Sequence, residues 1–285
     1  MMKRPMLSLL MLLAACKTAP EVVADVAEPT LPQEDFVVVT QSLTQVDIKY
    51  TGTVIAGSEA IKVERAAWEF VVDGTVKRSG EDKLNLSAAA GQNLAFELDE
   101  SLTYVKDVEE LKAMDARGGS LLLAMRGTLF VTIAVPANGD KPAGKRTVEL
   151  PFAKSKEVKT PRLPHLKLVD FEAGRFSENE VQAVFHVGVV NPNNFQISIA
   201  GLDYTAQLSG KEVTKGTIGT GDRVAAASTG VFDITATLNE ETHAKEAVKI
   251  VKGLIIPYLL KSSLRAQLYS EELESKGDIK LKASK

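Results

Sequence analysis

Apolar residues recur at every second position through much of this chain, and that period limits its fold more than any other feature. Val181, Ala183, Phe185, Val187 and Val189 alternate with other residues. Phe195, Ile197 and Ile199 alternate again, then Leu202, Tyr204, Ala206 and Leu208, then Phe232, Ile234, Ala236 and Leu238. A period of two lets an extended strand bury one face. Strands of this kind, punctuated by Gly, Asn and Pro, specify a mainly β protein.

The pattern is written twice. Shifted by 136 residues, Gly52 falls on Gly188, Ile61 and Val63 on Ile197 and Ile199, and Trp68 on Tyr204. Gly74 and Gly80 fall on Gly210 and Gly216, Phe96 on Phe232 and Leu102 on Leu238, with no gap between Gly52 and Leu102. Joint recurrence of glycines, aromatics and the alternating face argues for duplicated domains. A chain of 285 residues also has room for two. Pro161 and Pro164 mark the join, dividing the folded part into 36–160 and 161–285.

After Leu102 each copy changes period. Val105, Val108, Leu111 and Met114 have helical spacing, and Gly118-Gly119 can end the turn. In the second copy Asn239 can cap a helix carrying Ala244, Ala247, Val248, Val251 and Ile255, stopped before Pro257. Each helix has a stripe to bury, and the sheet is the nearest surface. Two further strands close each copy. In the first these are 121–135 and 148–152, joined through Asn138-Gly139. In the second they are 264–269 and 279–283, around Lys276-Gly277-Asp278. The run 121–135 is too short for a membrane span and carries Arg126 and Thr132, so it reads as a core strand.

The first fifteen residues stand outside the fold. Lys3 and Arg4 precede a short apolar run, then Leu13-Ala14-Ala15-Cys16. This is a secretory signal ending in the pattern of a bacterial lipobox, in which the cysteine is acylated and becomes the mature N-terminus. Buried methylenes contribute roughly 0.8 kcal/mol each, so several acyl chains hold a protein firmly on a membrane. Lys17 is not the aspartate that retains such proteins in the inner membrane of enteric bacteria, which favours the outer membrane of the cell envelope. Residues 16–35 then read as the lipidated Cys16 and a flexible tether, with Pro20, Pro29 and Pro32, several acids and no aromatic residue.

The net charge of −3 gives no reason to expect nucleic-acid binding. Cys16 is the only cysteine, which excludes an intramolecular disulfide and a cysteine metal cluster. His165, His186 and His243 lack ligand spacing, so no metal or cofactor is implied. Asp47, Asp73, Asp99 and Asp222 are scattered, and no nucleophile elbow or other catalytic motif is present. The run 216–222 has glycines spaced G-x-x-G-x-G, but between strands it reads as a turn rather than a phosphate cradle. Lys154, Lys156, Lys159, Arg162 and Lys167 surround the join, either as a solvated linker or as a contact to anionic head groups or polysaccharide.

Residues 184–238, with Asn191-Pro192-Asn193-Asn194 at a strand end, resemble the WHy (water stress and hypersensitive response) domain of atypical, LEA_2-like late embryogenesis abundant proteins. The likeness covers most of 165–285. The first copy keeps the strand pattern, with Ile55-Ala56-Gly57-Ser58 in place of the motif. The resemblance implies two tandem β-sandwich domains of immunoglobulin or fibronectin-III type, each with one packed α-helix. It also implies a link to desiccation or osmotic stress. Pro192 lacks an N–H and must interrupt a ladder, so Asn191 and Asn193 are expected to bond the backbone groups left free. The motif is therefore read as structural, with Cys16 as the site of lipidation.

Together these readings describe a non-enzymatic, lipid-anchored envelope protein, a stress-protective or binding module. Two alternatives stand beside it. One is a lipid-binding or lipid-transfer protein using a groove between sheet and helix. The other is a structural spacer that meets an envelope protein.

Overall fold

The computed structural model describes residues 26–137, 142–176, 180–239, 241 and 255–280. The first copy holds β1 (Thr30–Gln41), β2 (Gln45–Ile55), β3 (Ile61–Val72), β4 (Thr75–Ala88), β5 (Asn93–Thr103), α1 (Val108–Arg117), β6 (Ser120–Val135) and β7 (Gly144–Lys159). The second holds β8 (His165–Phe176), β9 (Glu180–Asn191), β10 (Ile197–Leu208), β11 (Lys211–Ile218), β12 (Arg223–Val224), β13 (Ser228–Asn239), β14 (Ile255–Ala266) and β15 (Tyr269–Lys280).

Every pairing is antiparallel, and the two copies share one topology. Sheet β1-β2-β5 corresponds to β8-β9-β13, and sheet β4-β3-β6-β7 to β11-β10-β14-β15. Among the described residues no strand pairs across the copies. The inward faces meet in a sandwich. In the first copy Tyr50 packs on Phe36 from its own sheet and on Phe152 from the other, with ring centroids 6.5 and 4.9 Å apart. In the second, Phe185 does the same with Phe171 and Tyr258, at 6.4 and 5.2 Å. Burying such rings away from water is the main force holding the sheets together.

The cross-strand register corrects the ungapped alignment of the copies. Gly52 faces Phe96, whereas Phe232 faces Val187. Gly52 therefore corresponds to Val187, not Gly188, and Tyr50 to the equally buried Phe185. The shift is 135 residues as far as the loop after β2 and 136 beyond it, where Trp68 faces Gly80 and Tyr204 faces Gly216. One residue separates the two loops in length, and a one-residue slip turns every side chain to the other face. Ala56-Gly57-Ser58 thus stands in the place of Asn191-Pro192-Asn193. Past the loop the copies agree in detail. Asp73-Gly74 and Ser209-Gly210 turn the hairpins with φ of 48° and 82°, and 49° and 75°. That left-handed pair is what a two-residue hairpin turn demands.

Helix α1 follows the sequence closely. Asp107 accepts from the Glu110 amide at 2.9 Å and caps its start. Gly118, at φ 61°, ends it by donating to the Met114 carbonyl. Leu111 is fully buried beneath it. The second helix reading, from Asn239 through Val251, lies largely outside the described residues, as does the Asn138-Gly139 turn.

Four expectations need correction. Strand β1 begins at Thr30, inside the segment read as tether. Glu34 there accepts from the Tyr50 hydroxyl and, at 3.2 Å, from the Ala153 amide. An edge strand tolerates Pro32 and acidic composition, which mimics a linker. Ile255 and Pro257 belong to β14 rather than to a helix end. The last hairpin turns at Gln267-Leu268, with Leu268 at φ 58°, not at Lys276-Gly277-Asp278, which lies within β15. Phe195 is half-buried and precedes β10 instead of entering it.

Candidate functional site

The Asn-Pro-Asn run ends β9 and is largely buried. Asn191 is 1% exposed and Asn193 3%, while Pro192 and Asn194 face solvent. The Asn191 amide nitrogen donates to three carbonyls, of Phe195 at 2.8 Å, Val224 at 3.2 Å and Ala225 at 2.9 Å. Its oxygen accepts from the backbone N–H and the side-chain amide of Asn193, at 3.0 and 2.9 Å. Pro192 breaks the ladder, and the Asn191 side chain takes over the backbone groups that the break would leave unpaired.

Asn193 reaches the other way, toward the join. Its oxygen accepts from the Arg162 amide at 2.7 Å, and its nitrogen donates to the Arg162 carbonyl at 2.8 Å. One side-chain amide thus pairs both polar groups of a backbone residue, as a strand neighbour would. On its opposite side Arg162, within the connection, contacts the first copy. Its guanidinium meets Asp115 of α1 at 2.5 Å, and the same carboxylate accepts from the Leu163 amide at 3.2 Å. Buried Thr160 donates from its N–H to Gly119 and from its hydroxyl to Gly118. The connection between β7 and β8 is therefore five residues long and bonded on both sides.

The first copy has a reduced version. Ser58, standing where Asn193 stands, accepts from the Ala27 amide at 3.2 Å. Ala27 precedes β1 as Arg162 precedes β8. A Cβ on Gly57 would lie 1.8 Å from the Ala27 carbonyl oxygen, so only glycine fits there. In both copies the loop after the second strand grips the segment that leads into the first. Sequence reasoning missed Asp115 and the bonds made by Ser58 and Arg162. The signal for Arg162 was its position between Pro161 and Pro164.

The remaining candidates fall elsewhere. Cys16 lies outside the described residues. Lys154, Lys156 and Lys159 are on β7 and Lys167 on β8, so the basic stretch is mostly strand. In the glycine run, Gly221 donates to Ile199 and Asp222 to Gly219, while Ile199 donates to Asp222. Those amides hold β10 and are not free to cradle phosphate. His186 stands on the outer sheet face, bonded to Asp233 at 2.6 Å, with Asp170 at 3.9 Å. The Asp233 hydrogen bond holds its imidazole above the ordinary histidine range. Asp73 lies below the usual carboxylate range; burial opposes this, but the Leu122 amide and Arg117 outweigh it. Asp47 bonds Thr40, Asp73 pairs with Arg117 and Asp99 with Lys49. Among the described residues no three His, Cys, Asp or Glu side chains could hold a metal ion.

One family profile matches a range that includes the Asn-Pro-Asn run. The LEA_2 profile, described as late embryogenesis abundant protein, matches residues 186–270. A protein of Arabidopsis thaliana, solved in solution, is 23% identical over 45% of this chain and 88% of its own, with a TM-score of 0.35. A protein of Archaeoglobus fulgidus is 19% identical over 42% of this chain and 100% of its own, with a TM-score of 0.30. No curated protein matches.

Proposed function

We propose that this chain is a non-enzymatic, membrane-anchored envelope lipoprotein carrying a late embryogenesis abundant module, and that it protects other components during drying or osmotic stress. The observation that carries the reading is the LEA_2 match at 186–270. Two residues of the motif inside that match, Asn191 and Asn193, are buried. Asn191 and Asn193 bond backbone groups, which leaves scaffolding as their work. The membrane enters through acyl chains on Cys16, at the end of a tether shorter than 16–35. Purified chain dried with a labile enzyme should preserve more activity than an equal mass of albumin. Equal loss in both mixtures would sink the protective reading. Labelling of cells with a radioactive fatty acid tests the anchor separately, since Cys16→Ser should abolish incorporation.

The spacer reading has its own support in the join. A five-residue connection bonded to both copies fixes one relative orientation, as a stand-off between membrane and partner requires. The groove suggested between sheet and helix has less support in the first copy, because Leu111 of α1 is fully buried.

A further inference from the structure

We propose that the groove where the two copies meet binds an extended peptide of alternating acidic and apolar residues, supplied by a protein partner. The groove has a volume of about 660 Å³. Residues 38–41 of β1, 156–159 of β7 and 194–196 before β10 line it. It is formed by folded residues alone, so it stands apart from the Cys16 anchor and from the protective reading.

Strands β1 and β7 are the edges of their two sheets. Side chains link them at two points: Glu34 accepts from the Ala153 amide at 3.2 Å, and Gln41 donates to the Lys159 carbonyl at 3.1 Å. No backbone ladder joins them. Along β7, Leu150 and Phe152 are buried, and Lys154 and Lys156 continue the same alternation but are exposed. In that row Lys154 and Lys156 lie between buried Phe152 and half-buried Val158, while Glu157 and Lys159 take the other face of the strand. An ammonium at such a position needs water or an anion.

The lining carries two lysines, Lys156 and Lys159, against one carboxylate, the exposed Glu157, and among the described residues the lysines have no carboxylate in contact. Elsewhere on the sheets Lys49 pairs with Glu97, Lys77 with Glu110 and Lys261 with Glu274. Among the described residues no carboxylate pairs with Lys154, Lys156 or Lys159. Apolar surface lies beside them. Val39 is 58% exposed, and Val38, Val158 and Phe195 are half-buried. Asn194 and Gln196, both exposed, add amide groups that can bond a peptide backbone.

That mixture selects the occupant. An acyl chain needs a mostly apolar slot, whereas polar residues are interleaved with valine throughout this one. An extended peptide presents backbone amides, with side chains alternating between two directions. Carboxylates would meet Lys156 and Lys159, and apolar side chains would meet Val39 and Phe195. Edge lysines commonly prevent strands from pairing with one another. Here they would reject basic and neutral strands and admit an acidic one.

The test uses the full chain with Cys16→Ser and a fluorescein-labelled decapeptide alternating glutamate and valine, read by fluorescence anisotropy. Binding should saturate and weaken with salt. Lys156→Glu combined with Lys159→Glu should weaken it about tenfold or more, while Lys83→Glu, outside this groove, should not. Val39→Asp approaches the same groove from β1 and should weaken binding too. Melting curves of the variants matching wild type would exclude unfolding as the cause. A peptide with lysine for glutamate should not bind, and one with serine for valine should bind more weakly. Failure to saturate, or equal binding by the doubly reversed variant, would overturn the proposal. So would equal binding of the serine peptide. Binding of phosphatidylglycerol vesicles through the same lysines, without binding of the peptide, would assign the patch to a membrane surface instead.

Discussion

Asn193 and Arg162 stand 31 residues apart and share two hydrogen bonds, of 2.7 and 2.8 Å, between one side-chain amide and one backbone residue. The motif that labels the second copy thereby also holds the join. Replacing Asn193 by Ala would strand both backbone groups of Arg162 and remove one of the two donors to the Asn191 oxygen, leaving the backbone N–H of residue 193 in place. Unpaired buried groups cost about 1–3 kcal/mol each, with relaxation and water recovering part. The expected loss is roughly 2–4 kcal/mol. Asn194→Ala, at an exposed position, should change stability by less than about 0.5 kcal/mol. Urea denaturation of the two variants checks the contrast, and equal midpoints would refute it.

The first copy offers a parallel test at Gly57. Its Cβ position collides with the Ala27 carbonyl, so Gly57→Ala should push the lead-in segment off the sheet. Gly144→Ala is the control, because nothing lies within 4 Å of a Cβ there. Limited proteolysis should cut the Gly57 variant faster around residues 26–30. Cleavage at the wild-type rate would show that the contact at Ala27 constrains nothing.

Trp68, the only tryptophan, lies across Gly80, where a Cβ would come within 2.4 Å of the indole. It donates to Asp82 at 2.8 Å. Gly80→Ala must tilt the ring out of its site, at a cost of about 1–3 kcal/mol for overpacking. Tryptophan emission should shift, and the melting temperature should fall. An unchanged spectrum would mean that the ring and Gly80 are not in contact.

His186 gives the chain a titratable contribution near neutral pH. Its bond to Asp233 raises its folded pKa, with Asp170 and Glu172 adding in the same direction and burial opposing. A raised folded pKa stabilises the fold fully below the unfolded value of about 6.5. The contribution disappears as pH rises through the folded value. His186→Gln should therefore be less stable than wild type at a pH of about 5.5, and the gap should narrow toward a pH of about 9. A gap that widened with pH would contradict the assignment.

The sequence shows the sheets more readily than it shows their register. Alternation at Phe185, Val187 and Val189 marked a buried face because burial is a local pattern. The recurrence of Trp68 and Gly80 as Tyr204 and Gly216 was visible for the same reason. The one-residue change of shift at the loop after β2 was not, since it is defined by Gly52 facing Phe96 and Val187 facing Phe232. Those are contacts between distant strands, and low identity left either alignment open. The partners of Asn193 were hidden likewise. Its backbone-bonding chemistry is local, but Arg162 meets it only through the fold. Residues 30–35 misled through composition, because an edge strand beside a sandwich needs only Leu31 and Phe36 to pack. Composition alone gave no sign that Lys154 and Lys156 share the face of Leu150 and Phe152.

The most direct test of the account is the distance between the copies. Spin labels on cysteines placed at exposed Lys83 and Lys276, in a Cys16→Ser background, report it by electron double resonance. Wild type should give one narrow distribution, because Asn193 and Asp115 hold the join from both sides. Asn193→Ala combined with Asp115→Ala should broaden it while both copies remain folded. Equally broad distributions in both proteins would contradict the claim that the motif fastens the copies together.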